Sequence, residues 1–196
     1  MTAETVSTAI KDQQVREVAF FAADVPDMQT LIDGLRPGVA YHVLSPEGDG
    51  LAEMATVLAG YRDLEALHIV SHGAPGTVFL GKTAVTHALL QSRAAEIQAI
   101  KGQLSGDAEI HVYGCDVGKE EIGGMFVNAL ARHLDVAVRA STGLTGAEAL
   151  GGTWSLDRVS GKIASATAFT DEARNKFDAV LAVGDTVDFE DLSGSA

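Results

Sequence analysis

His72 and Cys115 are the two residues of this 196-residue chain whose types and neighbours point to covalent chemistry. Each follows a short apolar run after one intervening residue, and each touches a glycine, in Ser71-His72-Gly73 and Gly114-Cys115-Asp116. A thiolate attacks carbonyl carbon, and a nearby imidazole can lower the thiol pKa and later protonate the leaving amine. Gly73 and Gly114 let backbone approach a substrate with no Cβ in the way. The amides at Gly73 and Cys115 are then candidates to hold an oxyanion. A helix expected to begin near Lys119 adds a dipole that favours a thiolate, whereas Asp116 acts against it by raising the thiol pKa. The plainer reading makes Cys115 a small buried hydrophobe and His72 a capped turn residue.

Other residues compete for a role. Asp24, Asp116, Ser141 and Thr142 also fall at the ends of apolar runs and are candidates for a substrate pocket. Asp24 could orient His72 or attract a basic side chain, or simply precede a helix that starts after Asp27. Residues 76–83 (GTVFLGKT) fit the phosphate-loop pattern, although Val78, Phe79 and Leu80 favour a strand over a cradle of inward amides. His68 and His111 lie four residues before His72 and Cys115 and so share their faces of a strand. With His42 they form a conceivable metal cluster, but no acidic or thiolate ligand accompanies them, and no metal is expected. Trp154 is read as packing. Asp185, Asp188, Glu190 and Asp191 could bind calcium, though an exposed acidic linker is the commoner meaning of such a run.

The elements that must position these residues alternate along the chain. Apolar runs at residues 18–22, 39–44, 67–70, 110–113 and 136–140 are short, β-branched or aromatic, and bounded by turn-forming residues, as buried strands are. Residues 27–35, 50–61, 85–100 and 119–134 read as helices, the last with Ile122, Phe126, Ala129 and Leu130 on one stripe. This alternation predicts an α/β domain, doubly wound around a mainly parallel sheet with helices on both faces. A small hairpin is expected after the third strand, from residue 77, with an edge strand near residues 153–156 and a closing helix over 170–177. Ligands of such sheets bind beyond the carboxyl ends of the strands, and neighbouring third and fourth strands would bring His72 and Cys115 together there. The domain is expected over residues 15–181, after a flexible lead-in (1–14) and before an acidic linker (182–196).

Composition narrows the classes. Fourteen Lys and Arg against 27 Asp and Glu give a net charge of −13, which argues against sequence-independent nucleic-acid binding. One cysteine excludes an internal disulfide or a multi-thiolate zinc site. No apolar run approaches the roughly 20 residues needed to cross a bilayer, so membrane insertion is not expected, and the N-terminus lacks the pattern of a signal peptide.

The strings HIVSHG (68–73) and IHVYGCDVG (110–118) resemble the caspase, gingipain and legumain superfamily of cysteine peptidases. More closely, VAFFAADVPDMQTLIDGL, LHIVSHGAPGTVFLG, VYGCDVG and RASTGLTGAEALGGTWSLD resemble an uncharacterised domain family near the N-terminus of very large bacterial surface or secreted adhesins. The likeness spans about residues 17–181. It implies a caspase-like fold with His72 and Cys115 in the dyad positions, and an extracellular or cell-surface parent chain. The expected function is an autoprocessing cysteine endopeptidase whose substrate is a peptide, such as its own linker from Val180-Leu181-Ala182 onward. No cofactor is expected, with calcium left open as an activator. The alternatives are a catalytically silent caspase-fold interaction module of a large adhesin and, behind it, a phosphate-loop nucleotide-binding protein.

Overall fold

A computed structural model describes residues 15–183. The lead-in (1–14) and all but the first two residues of the expected acidic linker, with its calcium candidates, lie outside the described residues.

The chain begins with β1 (Glu17–Phe21), α1 (Met28–Asp33), β2 (Val39–Val43), α2 (Gly50–Leu58) and β3 (Leu64–Val70). A three-strand antiparallel excursion follows, formed by β4 (Gly73–Ala74), β5 (Thr77–Leu80) and β6 (Thr83–Thr86). Helices α3 (His87–Ser92) and α4 (Ala94–Lys101) lead into β7 (Leu104–Tyr113), α5 (Glu120–Leu134) and β8 (Ala137–Ala140). The edge strand β9 (Arg158–Ser160) and α6 (Asp171–Lys176) complete the fold.

The main sheet has the order β2-β1-β3-β7-β8-β9, parallel except for β9. Strand alternation divides its side chains between two cores, as a doubly wound sheet requires. Val18, Phe20, Ile69 and Val112 enter a core with Met54 of α2, Ile97 of α4 and Phe126 of α5. Ala19, Phe21, Val70 and Tyr113 face the opposite way, onto Leu31 of α1 and Phe169 and Phe177 around α6.

Three local expectations are corrected. Residues 85–100 are not one helix: Val85 and Thr86 stay in β6, and the Thr86 hydroxyl accepts from the Leu89 amide to start α3. Arg93 (φ −109°, ψ 40°) then separates α3 from α4 while its guanidinium binds Asp49 and Glu96. The edge strand lies at Arg158–Ser160 rather than 153–156, where Thr153 makes a single bridge to Thr145. Residues 76–83 form no phosphate cradle: β5 and β6 pair across a turn at Gly81 (φ +60°), Lys82 reaches Glu47 at 2.5 Å, and a strand rather than a helix follows. Among the described residues no helix is long and apolar enough to cross a membrane.

Candidate active site

The site forms where β3 and β7 end side by side. Their pairing runs to Val70 opposite Tyr113, and the Ser71 amide extends it by donating to the Tyr113 carbonyl at 3.0 Å. His72 and Cys115 each lie two residues beyond that last pair, after Ser71 and Gly114. Gly73 and Gly114 allow the close approach: a Cβ at Gly73 would meet the Cys115 carbonyl at 2.6 Å, and one at Gly114 the Ser71 carbonyl at 3.1 Å. The backbones carrying imidazole and thiol therefore touch.

His72 is held from two sides. Its carbonyl accepts from the Phe79 amide of the hairpin at 3.3 Å, which anchors its backbone. Its Nε2 lies 3.1 Å from the Asp24 carbonyl, and a carbonyl only accepts, so Nε2 carries the proton. Nδ1 is consequently the basic nitrogen; it is buried, and among the described residues no hydrogen-bond partner meets it. The Asp24 carboxylate stays 4.0 Å from Nε2 and two-thirds exposed, so the main chain of Asp24 orients the ring.

Cys115 is only 1% exposed. Its sulfur accepts from the Thr145 amide at 3.2 Å, and its S–H faces the Thr145 carbonyl at 3.7 Å. Burial pushes the thiol pKa up; the Thr145 amide pulls it back, Asp116 adds to the rise, and the backbone amide of Leu181 opposes it. At rest the sulfur is a protonated thiol.

The amides of Gly73 and Cys115 converge on one atom. Both donate to the carbonyl oxygen of Leu181, at 3.3 and 3.2 Å. That carbonyl belongs to an extended segment, residues 179–182, that crosses the strand ends. The Ala147 amide donates to the Ala179 carbonyl at 2.8 Å, Val180 bridges Gly146 in antiparallel sense, and the Leu181 amide donates to the Thr145 carbonyl at 2.9 Å. Ala182 bridges Gly73 in parallel sense. The Leu181 side chain is fully buried, in one cluster with Ala22, Val25, Tyr113, Cys115 and Phe177.

The remaining candidates sit apart from this point. Asp116 (φ +60°) donates its amide to the Gly143 carbonyl and pairs with Lys119 at 3.2 Å. The buried Ser141 hydroxyl bonds Gly143, and Thr142 is tied through amide and hydroxyl to Asp157, so both close the turn after β8. Trp154 packs edge-on against Phe169 and Phe177. A cavity of about 830 Å³ opens nearby, lined in part by Gly146, Trp154, Arg174 and Phe177, but neither His72 nor Cys115 lines it.

His68 and His111 lie one layer behind, with ring centroids 4.7 Å apart, inside a polar network. His68 meets Glu17 at 3.0 Å, and His111 meets Ser165 at 2.8 Å and Arg139 at 2.8 Å. His42 is elsewhere, stacked on Phe20 and bonded to Tyr61 at 2.7 Å. Among the described residues no group of three or more His, Cys, Asp or Glu is placed to hold a metal ion.

Thr145 is the participant that sequence reasoning missed. Its neighbour Gly146 was the available signal: at φ +136°, with a Cβ that would sit 2.3 Å from the Ala179 carbonyl, it is required for the docked segment to approach.

No curated protein matches the chain. From the first core strand to the residue whose carbonyl rests between the Gly73 and Cys115 amides, residues 18–181 match one family, and the chain belongs to it: the family described as Domain of unknown function (DUF4347).

Proposed function

We propose that this domain is a caspase-like cysteine endopeptidase that processes the chain of which it is part, with Cys115 as nucleophile and His72 as acid and base. The observation that carries the reading is the placement of the Leu181 carbonyl oxygen between the Gly73 and Cys115 amides. Paired amide donors beside a thiol are the arrangement that stabilises a tetrahedral oxyanion. The tautomer supports the same assignment, because Asp24 fixes the proton on Nε2 and leaves Nδ1 free to accept. By resemblance, the parent chain is a large bacterial surface or secreted protein.

One observation favours a second reading, a catalytically silent interaction module: Cys115 is covered and its pKa is raised. Labelling with a peptidyl electrophile separates the two. Wild-type chain is expected to be modified at Cys115 far faster than free cysteine near neutral pH, and His72→Ala to lose that advantage. Reaction no faster than free cysteine supports the silent module and overturns the peptidase.

A further inference from the structure

Resting on the peptidase reading, we infer that the bond cut is Leu181–Ala182 and that the pocket on its acyl side selects leucine-like apolar residues. Three features of the docked segment carry this. Its register is fixed by main-chain bonds on both sides of Leu181, through Thr145 and Gly146 before it and Gly73 after it. Within the segment, the Leu181 oxygen is the one held by both Gly73 and Cys115. The Leu181 side chain is fully buried in an apolar cluster that includes Cys115, Tyr113 and Phe177. An Asp or Lys in its place would lose hydration without gaining a partner in that cluster. Selectivity for acidic or basic residues is thereby disfavoured, and backbone recognition of an extended strand is kept general.

The chemistry balances with one water as co-reactant. Nδ1 of His72 takes the Cys115 thiol proton as sulfur bonds to the Leu181 carbonyl carbon, and the carbonyl π pair moves onto the oxygen held by the two amides. Collapse breaks the bond from that carbon to the Ala182 nitrogen, which receives the proton from His72 and leaves as a free amine. Water, deprotonated by His72, then attacks the thioester, releasing the Leu181 carboxylate and restoring the thiol.

The test uses the full chain as wild type, Leu181→Met, Leu181→Asp and Leu181→Lys, with intact masses read after incubation. Wild type and Leu181→Met are expected to lose residues 182–196, and the charged variants to stay whole. Because a buried charge can unfold the domain, a second arm needs no variant. Peptidyl acyloxymethyl ketones with Leu, Asp or Lys beside the ketone are applied to wild type, and the leucyl probe should label Cys115 roughly a hundredfold faster. A cut at another bond, or His72-dependent labelling fastest with the Asp or Lys probe, overturns this assignment and leaves the peptidase standing. Absence of any cut together with absence of labelling by all three probes overturns both.

Discussion

A thiol raised by burial carries its proton at rest, so the proposed attack would need a base, and the Asp24 carbonyl would supply one indirectly by holding the proton on the far nitrogen of His72. The oxyanion amides are equally sensitive to position. Gly73→Ala would push a Cβ to 2.5 Å from a Val117 methyl and 2.6 Å from the Cys115 carbonyl. We predict about a hundredfold slower electrophile labelling for this variant, with a lower melting temperature; unchanged labelling would contradict the role given to that amide. The histidines behind the site make a separate prediction. Burial, with the charges of His68 and Arg139, holds His111 from 6.5 down to about 3, and the bond to His68 leads in holding Glu17 from 4.5 down to about 2. As pH falls below 6.5 the unfolded chain takes up the His111 proton before the folded chain does, and below 4.5 the same holds for Glu17. Both contributions are full at neutral pH and are lost on acidification. Thermal melts should be flat above about pH 7 and fall steadily toward pH 3; a melting temperature that rises with acid would contradict the network.

At the scale of elements, α5 presses on the turn that follows Cys115. A Cβ at Gly123 would lie 2.3 Å from the Gly118 carbonyl carbon, whereas one at Gly124 meets nothing nearer than Arg158 at 3.7 Å. Helix propensity alone favours alanine at both positions by about 1 kcal/mol. We predict that Gly124→Ala stabilises by roughly that amount and that Gly123→Ala destabilises by about 1–3 kcal/mol through overpacking, as read by denaturant unfolding. Much of this architecture was legible in the sequence because buried strands advertise themselves. Val18-Ala19-Phe20-Phe21 is apolar on both faces, Ile110-His111-Val112-Tyr113 is so except at His111, and the structure buries both. The pairing of β3 with β7, which brings the main chains around His72 and Cys115 together, followed from strand adjacency alone. The break at Arg93 was not legible, because the ion pair with Asp49 that accompanies it is tertiary. The phosphate-loop string fits by its letters alone; its Val-Phe-Leu centre already read as strand, and the structure forms the expected hairpin there. Thr145 was hidden because its main chain, not its side chain, meets the sulfur and the docked segment.

For the molecule as a whole, the segment lying across the site belongs to the domain that would cut it. Under the proposed function, tethering gives the Leu181 carbonyl a high effective concentration at Cys115, which would make the first cut intramolecular, with no encounter between chains needed. Mixing chains should then produce little additional cleavage, because the tethered segment outcompetes a second chain at ordinary protein concentrations. Intact-mass spectrometry of wild type, Cys115→Ala and an equimolar mixture of the two tests this most directly. The account predicts a wild-type chain ending at Leu181 and a Cys115→Ala chain that keeps residues 182–196, alone and in the mixture. Masses that differ only by the substituted side chain, with both chains whole or both shortened, would contradict it.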